Sequence, residues 1–129
     1  MRIAHVALWT KDLERSADFW RIVFDAAIGS PYHSKTNKGF ISRFVTLKDG
    51  GPSIELMTLP MLSKNELSVH PLVGWAHIAI SIGSESEVDT MAKRMLEQDA
   101  LVSGPRWTGD GFYEAVIRDP DGNLIEITA

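Results

Sequence analysis

Residues 2–9 alternate with the two-residue rhythm of a half-buried strand. Ala4, Val6 and Leu8 fall on one side, and Ile3, His5, Ala7 and Trp9 on the other. The rhythm then lengthens. Leu13, Ser16, Ala17, Trp20, Val23, Phe24 and Ala27 recur at three- and four-residue spacing, which predicts one buried helical face. Asp12 stands where a residue would cap that helix. Residues 75–82 alternate again, with Ala76, Ile78, Ile80 and Ile82 opposite Trp75, His77, Ala79 and Ser81. Val88, Met91, Ala92, Met95 and Leu96 predict a second helix, and Ser84 and Glu87 have capping-box spacing at its start. Extended segments follow each helix. They cover 40–48 and 53–59 around a turn at Asp49-Gly50-Gly51, then 101–104, 112–118 and 123–128 with a turn at Asp119-Pro120-Asp121-Gly122-Asn123. The polar stretch 28–39 is expected to hold a short strand and a loop.

These two runs are copies of one unit. Ile3-Ala4-His5-Val6-Ala7 matches Trp75-Ala76-His77-Ile78-Ala79. Asp49-Gly50 followed by Ile54-Glu55-Leu56 matches Asp121-Gly122 followed by Ile125-Glu126-Ile127. His5 to Glu55 is 50 residues and His77 to Glu126 is 49, so the repeat has a period of 71–72. The expectation is an α+β fold of two tandem βαβββ modules, 1–59 and 74–129, joined by a loop at 60–73 that carries Pro60 and Pro71. With 129 residues the chain is read as a single domain.

The alternation has a chemical consequence. The aliphatic side of each first strand suits packing under a helix, which leaves His5 and His77 on the other side among small alanines. In the last strands Ile54, Leu56, Ile125 and Ile127 suit the helix side. Glu55 then shares the opposite face with Ser53 and Met57, and Glu126 shares it with Leu124 and Thr128. A carboxylate set in an apolar strand is costly unless it is paired or bound to a metal. Either histidine alone would read better as a core or surface residue. As a repeat-related set with two glutamates, they read as ligands of one divalent cation, with Ni²⁺, Zn²⁺, Co²⁺, Fe²⁺ or Mn²⁺ suiting the donors.

Composition narrows the chemistry further. The chain has no cysteine, which excludes disulfides, thiolate metal sites and cysteine nucleophiles. Thirteen basic against 17 acidic residues, with no Lys/Arg cluster, leave no footprint for nucleic acid. No apolar run approaches the ~20 residues of a membrane helix. The first residues lead straight into a strand pattern without a signal-peptide pattern, so a cytoplasmic location is expected.

The order of these motifs resembles the vicinal oxygen chelate superfamily (glyoxalase, bleomycin resistance and dioxygenase proteins), and within it glyoxalase I, the lactoylglutathione lyase. The resemblance rests on the strand His5, on Glu55, on Gly74-Trp75-Ala76-His77-Ile78-Ala79 and on the ending Asp119-Pro120-Asp121-Gly122-Asn123-Leu124-Ile125-Glu126. Lys11 through Trp20 is also similar to the family's first helix. The resemblance implies sheets curled into a cup around the metal, with the helices outside, and a homodimer. It implies His5, Glu55, His77 and Glu126 as metal ligands, with Glu126 and Glu55 as the proton-transfer groups on opposite faces of a small-molecule substrate. The metal would then act as Lewis acid for proton transfer through an enediolate.

Fosfomycin-modifying enzymes and extradiol dioxygenases resemble the set at three positions, His5, His77 and Glu126, so Glu55 points toward the glyoxalase type. Epimerase, dioxygenase and non-catalytic drug-binding activities are the alternatives. The chain departs from glyoxalase I where a basic residue four positions after the first histidine holds the glutathione carboxylate. Trp9 stands there. Arg106 is the only cation between Gly104 and Gly111, so Trp9, Arg106, Trp107 and Phe112 are the expected substrate-pocket residues. Lys35, Lys38 and Arg43 are further basic candidates. Glu114 reads as a surface residue that could instead face the cup, Trp75 as a pocket or interface residue, and His33 and His70 as solvated.

Overall fold

The computed structural model describes residues 3–63, 75–109 and 111–129. His70 and Pro71 of the expected connector, and Asp110, lie outside the described residues. The chain divides into two compact units, Met1–Glu66 and Leu67–Ala129. The first contains β1 (His5–Trp9), α1 (Leu13–Phe24), β2 (Ala27–Ile28), β3 (Tyr32–His33), β4 (Ile41–Thr46) and β5 (Ser53–Thr58). The second contains β6 (Ile78–Ser81), α2 (Glu85–Glu97), β7 (Leu101–Trp107), β8 (Tyr113–Arg118) and β9 (Leu124–Thr128). The α+β class and the tandem modules are those expected, with two short strands, β2 and β3, in the first unit where one was expected.

Each unit is one mixed sheet with a helix on one face. The first sheet runs β1-β5-β4-β2, with β3 also paired to β4, and the second runs β6-β9-β8-β7. In both, the first and last strands of the unit are parallel neighbours and the other pairings are antiparallel. Helix α1 packs on β4 and β5, and α2 on β7, β8 and β9. The buried faces are apolar: Leu13, Ala17, Trp20 and Val23 meet Val45, Ile54 and Leu56, while Val88, Ala92 and Met95 meet Ala115, Ile117, Ile125 and Ile127. Both predicted caps form. Asp12 accepts the Arg15 N–H, and Ser84 accepts the Glu87 N–H while its hydroxyl donates to the Glu87 carboxylate.

Several boundaries differ from the expected ones, each for a local reason. Helix α1 stops at Phe24 because Asp25 turns left-handed (φ 51°) and donates its N–H to the Trp20 carbonyl; Ala27 then begins β2. Leu96 is exposed: at 100° per residue it lies about 70° from the centre of the buried stripe of Val88, Ala92 and Met95, at the edge of the helix-packing face. Strand β6 begins at Ile78, not at residue 75. Its partner β9 begins only at Leu124, so Trp75 has no strand beside it and is 96% exposed. Strand β7 extends to Trp107 and is paired to β8 up to the Trp107–Tyr113 pair. Its register shifts between Leu101 and Ser103 and again between Ser103 and Arg106, and Pro105, which has no N–H for a ladder, lies in the second shift. His33 lies in the two-residue strand β3, exposed as expected. Among the described residues no helix is long and apolar enough to cross a membrane.

The turn before β9 depends on one side chain. Asp119 Oδ1 accepts the N–H groups of Asp121 (2.9 Å) and Asn123 (2.8 Å), and Oδ2 accepts the Asn123 amide (2.9 Å). Burial pushes the Asp119 carboxyl above its ordinary range, while the bonds from Asn123 and Asp121 pull the other way. The turn therefore needs acceptor oxygens more than it needs charge. Asp119→Ala is expected to cost about 1–3 kcal/mol in urea unfolding, and Asp119→Asn, which keeps one acceptor oxygen, distinctly less.

Candidate functional site

In the first unit the parallel ladder puts Ala7 of β1 directly beside Glu55 of β5, with Val6 beside Ile54 and Leu8 beside Leu56. The aliphatic pairs go under the helix, so Ala7 and Glu55 share the uncovered face. The alanine has no side chain to cover the carboxylate. His5, two residues upstream on the same face, reaches diagonally until its Nε2 is 3.8 Å from Glu55 Oε2. The histidine is about half exposed and the glutamate mostly buried.

The second unit repeats the arrangement. Ala79 of β6 pairs with Glu126 of β9, Ile78 with Ile125 and Ile80 with Ile127. His77, two residues before Ala79, places its Nε2 3.5 Å from Glu126 Oε2, again with the histidine half exposed and the glutamate mostly buried. The one-residue difference between the repeat intervals does not disturb either pairing.

Both His–Glu spacings are longer than a good hydrogen bond. Two donors held by one divalent ion at about 2.1 Å each lie no more than about 4.2 Å apart, and both pairs meet that bound. An imidazole nitrogen and a carboxylate oxygen are also suitable donor chemistry for such an ion. Within either unit, among the described residues, no third His, Asp or Glu joins a pair to make a larger cluster.

The surroundings of the two pairs differ. In the first unit Phe44 of β4 lies opposite Glu55 and sets its ring edge-on to His5, with centroids 5.6 Å apart. Ser42, buried, lies opposite Met57 on the same face. Trp9 shares the His5 face and packs edge-on against Phe40. In the second unit Val116 lies opposite Glu126, and Glu114 lies opposite Thr128 on that same face. The surface reading of Glu114 is therefore wrong: it is only 6% exposed, and it accepts a bond from Arg106 at 3.1 Å. Phe44 and Glu114 are the residues that sequence reasoning missed or misplaced. Counting outward from the turns at Asp49-Gly50 and Asp121-Gly122 pairs each with its partner.

The other candidates separate by strand parity. Arg106 pairs with Glu114 and so shares the Glu126 face. Trp107 pairs with Tyr113, whose hydroxyl donates to Asp89 of α2, so Trp107 lies on the helix side of the sheet, away from Glu126. Phe112 sits in the turn between β7 and β8, about half exposed. Arg43 pairs with buried Leu56, on the helix side, and binds Glu14 and the Gly29 carbonyl. Lys35 and Lys38 are exposed in the loop before β4. A cleft of about 410 Å³ near Lys11, Thr58 and Leu62 lies at the far end of β1 from His5 and includes none of the expected ligands.

The Glyoxalase/Bleomycin resistance protein/Dioxygenase superfamily profile matches residues 2–127. Solved structures share the fold at low identity. A glyoxylase/bleomycin resistance protein/dioxygenase domain from Frankia sp. EAN1pec is 19% identical, with 99% of this chain and 96% of that one covered and a TM-score of 0.81. Glyoxalase I from Zea mays is 19% identical, with 98% of this chain covered and a TM-score of 0.76; the chain spans 44% of its length. The fosfomycin resistance protein FosX from Listeria monocytogenes is 22% identical, with 98% and 91% covered and a TM-score of 0.73. No curated protein matches the sequence.

A half-exposed histidine whose glutamate lies beyond good hydrogen-bond distance contributes little to folding. His5→Ala and His77→Ala are each expected to change the unfolding free energy by no more than about 1 kcal/mol. A larger loss in denaturant titrations would mark the pairs as structural.

Proposed function

Because the chain belongs to the Glyoxalase/Bleomycin resistance protein/Dioxygenase superfamily, we propose that it is a glyoxalase-type, metal-dependent enzyme acting on a small molecule by proton transfer beside a carbonyl. The observation that carries this reading is the repetition of one His–Glu pair, at 3.8 and 3.5 Å, on the uncovered face of each sheet. His5, Glu55, His77 and Glu126 would together hold one divalent cation, Ni²⁺, Zn²⁺, Co²⁺, Fe²⁺ or Mn²⁺. When bound, it supplies a Lewis acid for two vicinal oxygens of the substrate. Glu126 removes or returns the proton on one face of the substrate, and Glu55 is the corresponding group for the other face. Ala7 and Ala79 keep the space over both carboxylates open. Phe44 fixes the His5 ring and adds an apolar wall. The reading includes a cytoplasmic location and a homodimer; what supports the dimer is that β1 and β6 each end the hydrogen-bonded order of their sheet among the described residues, and such edges tend to be covered.

A neutral amide is a poorer ligand than an anionic carboxylate. Glu55→Gln and Glu126→Gln should each weaken metal binding in calorimetry. Unchanged affinity in both variants rejects the four-ligand site. Glu55 is also what separates this reading from a three-ligand site of the fosfomycin-enzyme or dioxygenase kind. Oxygen consumption with iron would identify a dioxygenase, and ligand binding that survives a chelator would identify a non-catalytic binder.

The substrate is set apart by Trp9. A basic residue at that place would give a charge-assisted bond to a glutathione carboxylate, typically ~1.5–3 kcal/mol, or about tenfold to 150-fold in binding. The indole cannot replace it. Activity on the methylglyoxal–glutathione hemithioacetal is therefore expected to be weak or absent with Ni²⁺ or Zn²⁺ bound. A kcat/KM at or above ~10⁵ M⁻¹s⁻¹ would show an ordinary lactoylglutathione lyase.

A further inference from the structure

The polar part of the second unit's uncovered face is a constructed pair, not a scatter of surface charges. Arg106 Nη2 donates to Glu114 Oε1 at 3.1 Å, and Nη1 donates to Ser103 Oγ at 3.1 Å. The glutamate is buried, while the arginine side chain is 49% exposed. A buried carboxylate thus holds one side of a half-exposed guanidinium, and the two bonds use two of the five N–H groups an arginine has. Fixing the fork beforehand lowers the entropy lost when it takes up an anion. Elsewhere the chain's arginines are engaged differently. Arg43 and Arg118 lie against Glu14 and Asp99 respectively, and each also donates to a backbone carbonyl.

The pair is also correctly placed. Arg106, Glu114 and Thr128 form one row across β7, β8 and β9, and Val116 and Glu126 form the next row on the same face. Two strand spacings and one side-chain repeat put the Arg106 and Glu126 Cα atoms about 12 Å apart. The guanidinium leans back over β8 toward Glu114, so a molecule of about five carbon atoms would span from it to Glu126. In the first unit the matching positions hold Phe44 opposite Glu55 and Ser42 one row away, neither of them a cation.

We propose that Arg106 binds an anionic group of the substrate, with Glu114 as its positioning residue, so the substrate carries a carboxylate or similar anion a few bonds from its vicinal oxygens. The inference rests on the site reading given above for its second anchor, but not for the anion contact. The departure at Trp9 then has a physical meaning: the anion is held from β7, not from the end of β1.

The test compares two α-keto acids of equal chain length, α-ketoglutarate, with a distal carboxylate, and α-ketovalerate, with a methyl group there. Binding to the whole protein is followed by NMR titration and calorimetry, with Ni²⁺ and after chelation. The wild type is expected to prefer α-ketoglutarate about tenfold or more, the size of one charge-assisted contact. Arg106→Gln should bring the ratio to about one, and Arg106→Lys should keep part of it. Glu114→Gln, which preserves volume and an acceptor, should lower the ratio several-fold while metal affinity and circular dichroism stay unchanged. Equal binding of the two acids by the wild type, or a preference that survives Arg106→Gln, overturns the proposal. A ratio untouched by Glu114→Gln removes Glu114 from it. If the ratio persists after chelation while Glu55→Gln and Glu126→Gln leave metal affinity unchanged, the metal reading fails and the anion contact stands.

Discussion

Everything at the two His–Glu pairs depends on a parallel strand pairing. In each unit the first strand returns beside the last, so that an alanine sits next to a glutamate and a histidine two residues earlier reaches it diagonally. A slip of one residue would turn both the histidine and its neighbours to the helix side. The ladder is held in place from that other side. Ile54 and Leu56 in one unit, and Ile125 and Ile127 in the other, are almost fully buried against a helix. The core that stabilises each unit is thus the same device that aims its polar face.

The two units use one scaffold for unlike surfaces. The first surrounds its pair with Phe44 and Met57, and the second with Val116, Glu114 and Arg106. Duplication supplies the geometry of the His–Glu pairs, and the strands next to them supply the character of the surface around each.

Strand parity also decides which aromatic residues belong to the chemistry. Trp107 and Tyr113 pair across β7 and β8, but Tyr113 reaches Asp89 of α2, which commits both rings to the helix side. Arg106, one residue earlier, faces the other way. Residues 105–107, beyond the extended segment expected at 101–104, are strand, and the alternation of that strand is what separates these neighbours.

Sequence alone determined the architecture and the two repeat-related His–Glu pairs, because both are written as periodicity. Alternation marked the faces of β1, β5 and β9, the three- and four-residue spacing marked α1 and α2, and the repeat tied each histidine to its glutamate. Trp20, Asp12 and Ser84 were legible for the same local reason. Other features depended on partners distant in sequence. Strand β6 could not be trimmed to Ile78 without knowing where β9 begins. Glu114 could not be assigned a face without the register across the Asp121-Gly122 turn, and Phe44 could not be placed against His5 without the register of β4 on β5. Burial of a glutamate between strands, and the arginine it holds, follow from pairing that only the folded chain establishes.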